Sequence, residues 1–198
     1  MSATTHFDES RPQKAADRIL AAARDLFYRL GIRSVGVEEV VTKAGVTKPS
    51  LYRAFGSKDE LTSAYLGEYD ARFWSLFEAA LSAHPGDPEG QLLAFVSGLA
   101  ERAAKPGYRG CGLTNACVEY PDRDHSARRV PVANKTELRR RLRQMAKDMG
   151  AGEPDLLGDG LLLLIEGAYI TVHIFGDHGP ALSLPDHVDR LIQSHVNR

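Results

Sequence analysis

Thr47, Lys48, Ser50, Tyr52 and Arg53 crowd into the stretch AGVTKPSLYRAFGSKDEL, directly after Gly45. Hydroxyls, an ammonium, a phenol and a guanidinium at this density are donors suited to phosphate oxygens and to base edges in a DNA major groove. Catalytic chemistry has no comparable cluster. The chain shows no Ser/His/Asp order, phosphate loop, dinucleotide fingerprint or metal-ligand spacing. His173, His178, His187 and His195 form no ligand pattern, so neither a metal nor a cofactor is expected, and an enzyme is the remote alternative.

Two short helices around a glycine turn would present such donors, and VEEVVTKAGVTKPSLYRAF supplies them as a helix-turn-helix. Val40, Ala44, Val46 and Leu51 are spaced to form the small core between the pair. Gly45 permits the positive φ of a tight turn. Thr47 is the expected N-cap of the second helix, with Pro49 tolerated in its first turn. A helix over 13–30 precedes the pair, with Ile19, Ala22, Ala23, Leu26, Phe27 and Leu30 at helical spacing and Gly31 ending it. Residues 38–44 and 48–55 are the pair itself. Ser57 and Glu60 form a capping box opening a fourth helix, which runs to about residue 84, where HPGDPEG breaks it. Further helices are expected over 91–104, 113–120, 134–149, 155–175 and 185–196. The fold class is all-α: an N-terminal three-helix DNA-binding domain over 11–57 and a larger helical domain over 58–198.

The 198 residues are 43% hydrophobic and 26% charged with net charge −1, as suits a globular chain with a real core. Charge is uneven: residues 11–58 hold ten Lys/Arg against four Asp/Glu, although acids flank that window. The N-terminus lacks the pattern of a signal peptide. LLLLIEGAYITVHIF, interrupted by Glu166 and His173, is shorter than the ~20 residues of a membrane span. A cytoplasmic protein without a membrane partner is expected.

The run ILAAARDLFYRLGIRSVGVEEVVTKAGVTKPSLYRAFGSKDEL resembles the TetR/AcrR family of transcriptional repressors, through the AGV turn, the LY pair, Phe55 and the SK before helix four. The resemblance covers roughly residues 15–62. It implies that Thr47, Lys48, Pro49 and Ser50 meet DNA, that Tyr52 and Lys58 bind phosphates, and that Arg53 reaches a base or the backbone. Arg33 and Ser34 are flanking phosphate candidates. Gly36 and Val37 stand where many members carry a capping hydroxyl, and Glu38 where some carry a base-reading arginine.

The resemblance further implies a helical ligand-binding domain whose last two long helices make a homodimer, so that two recognition helices meet a palindromic operator on double-stranded DNA. Residues 161–165, Ala168, Tyr169, Val172, Phe175, Leu184, Val188, Leu191 and Ile192 are candidates for that shared face, an intramolecular core being the alternative. Candidates for lining an effector pocket are Tyr65, Tyr69, Phe73, Trp74, Phe77, Phe95, Leu99, Asn115, Glu119, Tyr120, Tyr169 and His173, against plain core packing for each aromatic. Most expected is a repressor released by a small-molecule effector. The alternative is gating through Cys111 or Cys117, with Arg109 lowering the Cys111 pKa, set against inert buried thiols. The basic run RRRLR, Arg139 to Arg143, reads as a solvated helix face.

Overall fold

The computed structural model describes residues 14–196, which are helical without a strand. Residue 13, expected to open the first helix, and the start of the expected first domain lie outside the described residues. α1 (Ala15–Leu30) buries Ile19, Ala22, Ala23 and Phe27 on one stripe, and Gly31 closes it by returning its N–H to Phe27. α2 (Val37–Ala44) and α3 (Lys48–Phe55) pack on α1 through Val40, Val41, Ala44 and Leu51, with Val46 half-buried. Gly45 sits at φ 62°, a left-handed value that a β-carbon disfavours, and its N–H closes the end of α2. This is the helix-turn-helix read from the sequence.

α4 (Lys58–Ala83) begins at Ser57, whose hydroxyl accepts the Glu60 N–H at 3.0 Å. α5 (Pro88–Ala103) starts three residues earlier than the expected residue 91. Asp87 caps it by accepting the Gly90 N–H, and Pro88 fits the first turn. α6 (Gly112–Glu119) is followed by a single turn and α7 (Arg129–Asp148), which begins five residues before the expected 134. Pro131 falls in its first turn, where the missing N–H breaks no hydrogen bond. α8 (Pro154–Phe175) and α9 (Leu184–His195) complete the larger domain.

α8 packs most extensively on α7 and also on α9, with α4, α5 and α6 enclosing the same core. Most of the residues expected on a shared α8–α9 face are instead buried within this one chain: Leu161, Ile165, Ala168, Tyr169, Val172, Leu184, Val188 and Ile192. Leu162, Leu164 and Leu191 are partly buried, and Leu163 (74% exposed) and Phe175 (57%) are exposed, where Leu156, Ile170 and Ile174 join them as exposed apolar residues on α8. At 22 residues α8 is longer than the 161–175 apolar run, and by length and composition alone it could cross a membrane; its buried side is nevertheless core.

The RRRLR run lies on the solvent-facing side of α7, as expected, with Leu142 alone buried, and its arginines are also ion-paired. Arg139 and Arg143 clamp Asp159, Arg140 and Arg141 hold Glu137, and Arg141 also pairs with Glu78 while its guanidinium lies 4.4 Å from the centre of the Trp74 ring. Acids three or four residues away on α7, and across on α4 and α8, are what the sequence run alone conceals.

Candidate nucleic-acid interface and cavity

The start of α3 points its donors outward. Thr47, Lys48, Pro49, Tyr52 and Arg53 are exposed and Ser50 half-exposed, while Leu51 is fully buried and anchors the helix. Thr47 takes the N-cap position without a side-chain cap; its hydroxyl is 3.0 Å from that of Ser50, so the two form one polar pair at the tip. Tyr52 is 48% exposed, its ring presented to solvent beside Arg53.

Lys48 is already engaged by Glu38 of α2 in an exposed ion pair, and that hydrogen bond pushes its pKa up. Lys58, at the start of α4, is partly buried with its ammonium 6.0 Å from the centre of the Phe27 ring; burial lowers its pKa against the pull of Asp59, Glu119 and Glu39. The Ser34 hydroxyl donates back to Leu30 (2.6 Å) and Gly31 (3.0 Å), finishing α1. Gly36 has no side chain to cap α2, but its N–H donates to the Glu39 carboxylate at 2.7 Å, so one end of a capping box survives.

Arg33 faces the second domain. Its backbone N–H donates to Glu119 Oε2 at 2.9 Å and its guanidinium to the Glu119 carbonyl at 3.1 Å. Glu119 ends α6 and also lies against Gly31. The other end of α6 is tied to α1 as well. Tyr28 donates to the Gly110 carbonyl at 3.1 Å and accepts the Arg109 N–H at 2.8 Å, and Tyr69 of α4 donates to the same carbonyl at 3.3 Å. Gly110 is required there: its φ is +65°, and a β-carbon would sit 2.2 Å from the Tyr169 carbonyl oxygen. α6 is therefore stapled at both ends to the first domain.

Beside these ties lies a cavity of about 730 Å³, within the range of small-molecule sites. One wall is α1 through Arg24, Asp25 and Tyr28; the opposite wall is α4 from Tyr65 to Leu76; the α5–α6 loop and Tyr169 close it. Of the expected pocket residues, Tyr65, Tyr69, Phe73 and Tyr169 line it. The rest lie elsewhere. Phe77, Phe95 and Leu99 are core residues, with Phe77 and Phe95 in edge-to-face contact, and Trp74 carries Arg141. Glu119 is the tether just described, and Tyr120 stacks on His125. Asn115 donates to the Arg109 carbonyl at 2.8 Å and meets His173, whose pKa burial lowers. The α1 residues and the α5–α6 loop were missed by the sequence reading because nothing local marks Tyr28 or Tyr108 as sharing a wall with α4.

Cys111 sits at the N-cap of α6 and Cys117 within it, so the two do not share a helical run. Cys111 is 1% exposed, and its cationic neighbour is not Arg109 but Lys135, with Nζ 3.4 Å from the sulfur and 2.8 Å from Glu166. Burial pushes the Cys117 thiol up. Gating by thiol chemistry finds no support in these environments. Among the described residues no group of three or more His, Cys, Asp or Glu is placed to hold a metal.

A family model described as "Bacterial regulatory proteins, tetR family" matches residues 19–65, the three N-terminal helices and the start of α4. The transcriptional repressor BdcR of Escherichia coli (strain K12) is 45% identical over 60 residues, a stretch that covers 30% of each protein. The match to the first curated relatives thus spans about a third of their length or less. The transcriptional regulator AcuR of Cereibacter sphaeroides is 29% identical over 178 residues, covering 83% of this chain and 81% of AcuR. The crystal structure of a TetR-family transcriptional regulator from Streptomyces coelicolor superposes with a TM-score of 0.88 at 30% identity, covering 94% of this chain and 92% of that one. With the helix-turn-helix, the helical second domain and this whole-chain likeness in agreement, the chain belongs to the TetR family of DNA-binding transcriptional regulators.

Proposed function

We propose that this chain is a homodimeric repressor, working in the cytoplasm, that holds a palindromic operator through α3 and releases it when a small molecule fills the α1–α4 cavity. Residues 11–57 are the reading unit and 58–198 the sensing and dimerising unit. Thr47, Lys48, Pro49, Ser50 and Arg53 would enter the major groove, with Tyr52, Lys58 and Ser34 on phosphates. Arg33 is assigned to the tether on α6 as well as to the DNA flank. The observation that carries the reading is the double role of α1, which is both the platform of α2–α3 and a wall of the cavity.

Filling that cavity acts on the spacing of α1 and α4, and α6 transmits the same movement through Tyr28 and Arg33. A coupling of ~1–3 kcal/mol changes operator affinity roughly 5–150-fold. A second copy is supported by the exposed apolar stripe Leu156, Leu163, Ile170 and Ile174 on α8, along which Gly167 leaves open space. Two copies would set their α3 helices about 34–36 Å apart, or a multiple of that, as half-site spacing demands.

Selection from a random duplex pool tests the reading. The purified protein is expected to enrich a palindrome, and a Tyr52→Ala, Arg53→Ala variant is expected to enrich none. Enrichment of single, unpaired half-sites would remove the dimer, and no enrichment by either protein would remove the repressor.

A further inference from the structure

The polar groups of the cavity wall divide sharply into those already engaged and those left over. The two carboxylates are engaged: Asp25 is 2.8 Å from Lys43, which lowers its pKa, and Glu68 lies 3.8 Å from Arg24. Tyr28 and Tyr69 are tied to Gly110, and Arg102 hydrogen-bonds the Tyr108 hydroxyl. What remains is all donor. Tyr65 (2% exposed) and Tyr169 (3%) have no hydrogen-bond partner among the described residues, and Arg72 and Lys105 at the mouth have no ion-pair partner there. Both hydroxyls line the cavity and neither is fully enclosed, so each opens on the cavity space and is free to donate to an acceptor placed there. Burial raises the pKa of both, so at neutral pH each is a neutral O–H donor. Phe73 and the tyrosine rings supply flat apolar surface between floor and mouth.

We infer that this cavity takes a hydroxyaryl carboxylate: its ring lies among Tyr65, Phe73 and Tyr169, its ring-hydroxyl oxygen accepts from the two phenols, and its carboxylate meets Arg72 and Lys105. The inference rests on the cavity being the effector seat and adds the chemistry of the effector. An amine would find only carboxylates that already have cations, and a neutral hydrocarbon would leave the phenols unpaired.

Calorimetric titration of the full chain at pH 7, without DNA, tests it. The probes are 4-hydroxycinnamate, 4-hydroxybenzoate and 6-hydroxy-2-naphthoate, each with its methyl ester, together with 4-hydroxyphenethylamine. At least one acid is expected to bind about tenfold or more tighter than its ester, the worth of one charge-assisted hydrogen bond. Arg72→Gln with Lys105→Gln should remove that margin while leaving the unfolding midpoint unchanged, and Tyr169→Phe should weaken acid and ester alike. An ester or the amine binding as tightly as the acid, an unaltered double variant, or no acid binding at millimolar concentration would each overturn the inference. Anisotropy on a selected duplex separates this from the effector reading. Acid binding that leaves DNA bound, or release by a compound that does not compete with the bound acid, upholds the anion site and removes the cavity as effector seat, whereas release by a cavity-filling compound in the absence of any acid binding removes the anion site and leaves the release reading standing.

Discussion

Lys48, one of the residues proposed to meet DNA, is restrained within the free protein. Its ammonium is held by Glu38 across the turn, so a phosphate or base must compete with a carboxylate that the protein itself supplies. Exposed pairs of this kind are worth at most ~1 kcal/mol. Glu38→Gln is therefore expected to tighten binding to duplex DNA by a few-fold. Where the freed ammonium meets a phosphate at the groove edge rather than a base, the salt dependence should also steepen by up to ~0.9 in the log–log slope. Titrations at several salt concentrations read both, and an unchanged slope would mean that Lys48 stays off the phosphates. Tyr28 is restrained differently, since its hydroxyl both donates to Gly110 and accepts from Arg109. Tyr28→Phe leaves the Arg109 N–H without that acceptor and should cost about 1–3 kcal/mol in a urea unfolding curve.

Helix α7 carries most of the clustered surface charge, and its behaviour in acid follows from two carboxylates. Hydrogen bonds from Arg140 and then Arg141 hold Glu137 at about 2 against an ordinary 4.5, and those from Arg139 and Arg143 lower Asp159 likewise. A depressed carboxylate stabilises the fold fully above its unfolded value, and that contribution is lost as the pH falls through the folded one. Unfolding temperature should thus decline below about pH 4.5, and Glu137→Gln with Asp159→Asn should flatten that decline while lowering the neutral plateau slightly. Parallel curves for the two proteins would contradict the assignment. The α7 network was not legible in RRRLR because Asp159 and Glu78 come from other helices. By contrast, the three N-terminal helices were legible residue by residue, since Gly31, Gly45 and Ser57 punctuate them and Leu51 fixes the face that turns inward. The cavity was half legible: α4 advertised its aromatics by spacing, whereas its α1 wall depends on a crossing that no periodicity encodes.

The molecule as a whole is two units joined through α4, the α1 wall of the cavity and both ends of α6. Among the described residues nothing covers its outer α8 stripe, with Leu163 74% and Ile174 68% exposed. Leu163→Glu with Ile174→Glu should convert a sedimenting dimer to a monomer that stays helical and loses most of its operator affinity; a dimer that survives would move the interface elsewhere, and an association with vesicles rather than with a second copy would reassign α8. Whether α3 reads DNA sequence is decided by fluorescence anisotropy on the selected duplex and on a scrambled duplex of equal length, at one salt concentration near 0.15 M. A preference of about a thousandfold or more for the selected duplex is expected, largely lost in the Tyr52→Ala, Arg53→Ala variant. Equal affinity for both duplexes, or a preference that survives that variant intact, would contradict that reading.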